Sequence, residues 1–189
     1  MKPFQNLTEL YEQIAANDQR SEALTFEEAA GRALSMLKPL KDRRGQVILI
    51  GNGGSAAITS HVMTDFIRSL GTAAVTLTDE SLLTCMSNDY GYGAVYEKSI
   101  EVSGRPGDVL IAISSSGKSE NIVRGVAAAR KNRMGVITLS GFAADNPLRT
   151  MGDVNFYVPS FRYGHVEIVH LSICHHLVDC LMQEQKNNG

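Results

Sequence analysis

The chain has 189 residues, enough for one domain with a full core. Its 18 Lys and Arg stand against 20 Asp and Glu, a balance that argues against a purely electrostatic grip on nucleic acid or an anionic membrane. Three cysteines, an odd number set in apolar patterns, point to reduced thiols rather than a disulfide framework.

In chain order, the start MKPFQNLTELYEQ is broken by Asn, Glu and Gln and does not read as a signal peptide. Residues 1–43 read as helix: Leu7, Leu10 and Ile14 share one face, Phe26, Ala30, Leu34 and Leu37 another, with an interruption at Asn17-Asp18. Next comes a short apolar run, residues 46–50, closed by Gly51-Asn52-Gly53-Gly54-Ser55. Similar runs recur at 73–77, 109–113, 136–139 and 154–158. Runs apolar on both faces suit parallel strands covered by helices. Residues 56–70, 80–87, 119–132 and 165–185 have room for those helices, and 183–189 read as a frayed tail. The pattern predicts a three-layer, doubly wound α/β domain with a parallel sheet and N-terminal helices. No apolar run approaches the roughly 18 residues of a membrane span, so the expectation is a cytoplasmic protein.

In such sheets ligands bind beyond the carboxyl ends of the strands. Two loops lie there: Gly51–Ser55, and Ser114-Ser115-Ser116-Gly117-Lys118-Ser119 just before a helix. Hydroxyls and free backbone N–H groups at a helix start make an anion site. Taken singly, either loop is equally well a plain strand-to-helix turn. Neither is a Walker A loop or a dinucleotide fingerprint, because the required glycine spacing is missing. His61 and Asp65, four apart, share a helix face, a pattern usual for surface contacts. The last helix carries Glu167, His170, His175 and His176, and a histidine-rich helix together with a histidine/carboxylate pair elsewhere raises the odds of a metal site, zinc above all.

Together, strand-GNGGS-helix, then SNDYG at 87–91, then strand-ISSSGKS-helix resembles the sugar isomerase (SIS) domain family, and within it the phosphoheptose isomerases. The resemblance spans nearly the whole chain, 1–189 as one SIS domain with a helical segment 1–43 used in oligomerisation and an α/β core at 44–185. It implies conversion of sedoheptulose 7-phosphate to D-glycero-D-manno-heptose 7-phosphate through an enediol. The alternative is a non-catalytic SIS regulator that binds a sugar phosphate or the bacterial replication initiator. It further implies a substrate set of Asn52, Gly53, Ser55, Asp89, Ser114, Ser115, Ser116 and Ser119. The resemblance implies Zn2+ held by His61, Asp65, Glu167 and His175, with Asp65 and His175 moving protons. By helix spacing His170, one turn from Glu167, is a rival ligand. The implied partners are a small-molecule sugar phosphate and copies of the same chain, as a homotetramer, with no nucleic acid or membrane. The chain departs from the family pattern: Asp stands for Glu at 65, Glu for Gln at 167 and Ile for Asp at 58, and the stretch 163–167 is about one residue short.

Overall fold

The computed structural model of the chain describes residues 5–188. Five parallel strands form its centre: β3 (Gln46–Ile50), β4 (Ala73–Thr76), β5 (Val109–Ser114), β6 (Gly135–Gly141) and β7 (Val154–Val158). Their order across the sheet is β7-β6-β5-β3-β4. Chain direction across the sheet therefore reverses between β3 and β5, and loops at the carboxyl ends of those two strands flank a crevice.

Side chains of a strand alternate between faces, and here both faces are covered. Val47, Leu49, Val109, Ile111 and Ile113 enter one core, under α2 (Phe26–Leu37), α3 (Gly54–Asp65) and α7 (Tyr163–Asn188). Ile48, Ile50, Leu110 and Ala112 enter the other, under α5 (Val95–Ser103) and α6 (Glu120–Lys131). All six residues of β5 are buried, as a central strand requires, and each large apolar side chain there stabilises the fold by about 1.5–3 kcal/mol. The three cysteines are free thiols. Among the described residues no helix is long and apolar enough to cross a membrane.

The N-terminal segment corrects the all-helical reading of residues 1–43. After α1 (Gln5–Glu12) the chain forms a short hairpin, β1 (Ala15–Asn17) and β2 (Ala23–Leu24). β1 pairs antiparallel with β7 and extends the sheet to seven strands. The pairing is held from afar: the Arg149 guanidinium donates to Asn17 Oδ1, and Asn17 Nδ2 donates to the Arg149 carbonyl. The tail is also more regular than expected, since α7 continues to Asn188. Lys38 pairs with Glu184 at 2.7 Å and Gln185 donates to the Leu70 carbonyl, which ties that end down. Residues 1–4 of the helical reading and Gly189 of the tail lie outside the described residues.

Candidate active site

A cavity of about 390 Å³ opens at the crevice between β3 and β5. Its walls include Asn52, Gly53, Gly54 and Ser55 after β3, and Ser114, Ser115, Ser116 and Ser119 after β5. Two residues of α7, Tyr163 and Glu167, close one side.

The serine loop is wound tightly. Ser114 Oγ lies 3.5 Å from Ser116 Oγ and 3.3 Å from Ser119 Oγ, and it accepts from the Gly117 amide. Ser115 Oγ is buried without a hydrogen-bond partner. Buried hydroxyls are normally paired, so this group is suited to a ligand oxygen. Helix starts point the same way. α2 is capped by the Thr25 side chain, and α4 (Glu80–Tyr90) by Asp79. At α3 and α6, whose starts at Gly54 and Ser119 border the cavity, the N-cap residue makes no side-chain cap, although Asn121 Oδ1 accepts from the Ile122 amide. Two uncapped helix starts favour negative charge between them. Ser116→Ala and Ser119→Ala should each weaken binding of inorganic phosphate by about 1–2 kcal/mol, the scale of a hydrogen bond to a charged group. Titration calorimetry on the two variants and their combination would measure it, and unchanged affinity in the double variant would count against the loop as the grip.

Asn52 is held in place by partners that the sequence did not reveal. It exchanges amide hydrogen bonds with Asn121 at 2.8 and 2.9 Å, and Tyr92 donates to its Oδ1 at 2.9 Å. Tyr96 donates from beneath to the Gly51 carbonyl at 2.5 Å. Burial pushes the Tyr96 phenol up to about 12, so it remains a donor at any working pH.

Farther along α3 and α7 stand His61, Asp65 and His175, each offering a ligand atom within 4.8 Å of the others. Asp65 Oδ2 lies 3.6 Å from His61 Nε2 and 3.5 Å from His175 Nδ1. Those distances are long for hydrogen bonds, and Asp65 Oδ2 is a buried atom without a hydrogen-bond partner. They are close to the roughly 3.4 Å edge of a tetrahedron built from ~2.1 Å metal–ligand bonds. Two imidazoles and a carboxylate are a donor set that zinc accepts.

Glu167 is not in that trio. Its carboxylate lies over the start of α3, where a Cβ on Gly54 would meet Oε1 at 2.4 Å, and it lines the cavity instead. His170 is buried, and its Nε2 donates to the Ser140 carbonyl at 3.0 Å, which makes it a core histidine rather than a rival ligand. Asp89 sits exposed in the last turn of α4, accepting from Asn88, and does not line the cavity. Lys118 is exposed beside the serine loop, and Ile58 packs in the core.

Burial lowers the His170 pKa from 6.5 to about 4. Below pH 6.5 the unfolded chain binds a proton that the folded chain refuses until about pH 4. Stability should therefore fall by up to about 3 kcal/mol as pH drops through that window. Urea unfolding across it would show the slope, and a flatter profile in His170→Leu would assign it.

Known proteins resemble the chain in both sequence and fold. A family model described as "SIS domain" matches residues 5–141. The phosphoheptose isomerase of Bordetella avium (strain 197N) is 38% identical over 174 residues, covering 88% of this chain and 87% of that protein. That of Aromatoleum aromaticum is 40% identical over 149 residues, covering 73% and 75%. Among solved structures, the phosphoheptose isomerase of Neisseria gonorrhoeae superposes with a TM-score of 0.80 at 31% identity, covering 94% of each chain.

Proposed function

The chain belongs to the SIS domain family, among its phosphoheptose isomerases, and we propose that it converts sedoheptulose 7-phosphate to D-glycero-D-manno-heptose 7-phosphate with the help of a divalent metal. It is a phosphosugar isomerase; the identity of the sugar, the enediol route and the metal are the steps taken beyond that.

The observation that carries the reading is the distance between the two halves of the site. Counted from Gly54 at the cavity, His61 and Asp65 lie seven and eleven residues along α3. At about 1.5 Å per residue this is roughly 10–16 Å. A seven-carbon chain with ~1.5 Å bonds spans roughly 8 Å from C1 to C7, and the phosphate adds a few more. A sugar anchored by its 7-phosphate on the serine loop can thus present C1 and C2 near the trio.

Each residue then has a task. Ser114, Ser116, Ser119 and the uncapped amides hold the phosphate. Asn52 and Ser55 face the sugar hydroxyls, and Asn121 and Tyr92 keep Asn52 oriented. Asp65 removes a proton from C1 of the ketose and returns it to C2. His175 moves the proton between the two oxygens, so that the C2 carbonyl becomes a hydroxyl and the C1 hydroxyl a carbonyl. The metal, held by His61, Asp65 and His175, would polarise those oxygens and offset the negative charge of the enediolate. Retention of this trio argues against the purely regulatory alternative. The deciding experiment incubates the protein with sedoheptulose 7-phosphate, with and without zinc, and follows the aldose by NMR. Failure to form it under either condition would sink the reading.

The trio is open on one side, with His61 53% and His175 42% exposed, so a neighbouring subunit is a natural cover. We place the protein in the cytoplasm as a homotetramer. Light scattering should report four chains, and a monomer at micromolar concentration would refute this.

A further inference from the structure

Among the described residues that line the cavity, Glu167 alone carries a charge, and that charge is negative. A pocket of hydroxyls and amides holds phosphate less well with an acid in its wall than without one. The acid is fitted to its place. Both carboxylate oxygens of Glu167 fill the space that a side chain at position 54 would need, and Gly54 leaves that space open. Gly54 begins α3, and the amino end of a helix favours a carboxylate. Farther along, Asp65 of α3 meets His175 of α7 at 3.5 Å, so the two helices run side by side in the same direction. Glu167 and His175 are eight residues apart on α7, about 12 Å, which matches the span from Gly54 to the trio. A sugar chain that leaves the serine loop for the trio therefore sets out past the Glu167 carboxylate.

We propose that Glu167 is a specificity-determining residue: it accepts hydrogen bonds from the sugar hydroxyls nearest the phosphate, and so admits a polyhydroxylated phosphate ester while disfavouring free phosphate. The proposal rests on the sugar-phosphate reading above. A carboxylate accepts hydrogen bonds and repels a second anion. Inorganic phosphate brings mainly charge. A sugar phosphate brings similar charge together with neighbouring hydroxyls, two of which can donate to the two carboxylate oxygens at once. The serine hydroxyls and helix amides take either phosphate alike. Asn52 and Ser55 add affinity for the sugar but set nothing against free phosphate. Discrimination needs such an opposing element, and the Glu167 charge supplies it.

The test is calorimetric binding of sedoheptulose 7-phosphate and of inorganic phosphate to the parent, Glu167→Gln and Glu167→Ala, with zinc content measured beside it. Both variants should bind inorganic phosphate about 3- to 10-fold more tightly, the scale of one unit charge removed from near a phosphate in water. Both should bind the sugar phosphate about 3- to 10-fold more weakly, because lost charge-assisted hydrogen bonds outweigh the relieved repulsion. Zinc content should match the parent's, and in turnover KM should rise more than kcat falls. Opposite shifts for the two ligands are a result that general damage to the site does not produce. Weakening of both ligands together would mean a damaged loop and overturn the proposal. So would unchanged phosphate affinity, which would make Glu167 a solvated charge, or loss of zinc, which would make it a metal ligand. A parent that binds the sugar phosphate, with variants that keep its preference over phosphate, would fail this proposal alone. A parent that binds phosphate but not the sugar phosphate would fail the proposed substrate, and this proposal with it.

Discussion

Asp65→Asn should lower turnover of sedoheptulose 7-phosphate at least about 100-fold, the scale of a lost general base, while leaving most of the metal bound. The amide keeps the shape and one oxygen ligand but cannot take a proton. The geometry motivates the double role: Asp65 Oδ2 is buried without a hydrogen-bond partner, between two imidazole nitrogens at 3.5 and 3.6 Å. A carboxylate so placed needs a cation or a proton to satisfy it. His175→Ala should remove activity and metal together, because one ring serves both. Metal analysis beside NMR turnover separates the cases. Loss of metal from Asp65→Asn, with partial rescue by excess zinc, would make Asp65 a ligand only. Parent-like turnover in both variants would mean that the protons move elsewhere.

The same residues show what was legible from sequence. Strands β3, β4, β5, β6 and, less purely, β7 declared themselves because a strand covered on both faces reads as a nearly continuous apolar run. The serine loop and GNGGS were legible only together: either alone reads equally well as a plain turn, but their order and spacing at two strand ends match the family pattern. His61 and Asp65 were legible through helical spacing, and His175 through the family pattern. The hairpin was not: Ala15-Ala16-Asn17 has little β character of its own and is held by Arg149, 132 residues away. α5 was passed over as well, since Val95, Tyr96, Ser99 and Ile100 show their buried face only once α6 packs on it. Glu167 was grouped with the metal ligands by resemblance. Its position over Gly54 depends on how α7 lies along α3, which no local pattern encodes.

Gly117→Ala should cost about 2–4 kcal/mol of stability and most of the phosphate affinity, the sum of a left-handed backbone penalty and overpacking. The structure gives this glycine a packing duty of its own. Its φ is 62°, and an added Cβ would lie 2.0 Å from Asn146 Oδ1 and 2.3 Å from Cγ. Asn146 has little freedom to retreat. It is 2% exposed, and its Nδ2 donates to the carbonyls of Gly141 and Ala143 at 3.2 and 2.8 Å. The loop cannot easily yield either, because the Gly117 amide donates to Ser114 and its carbonyl accepts from the Leu148 amide. Whichever side moves, Ser114 and Ser116 lose the positions that let their hydroxyls converge. Gly31→Ala is the control: it lies within α2 with nothing inside 4 Å of the new Cβ, and should stabilise the protein by about 0.5–1 kcal/mol. Thermal unfolding and phosphate titration on the two variants would test the contrast. If Gly117→Ala binds phosphate like the parent, the loop is not what holds it.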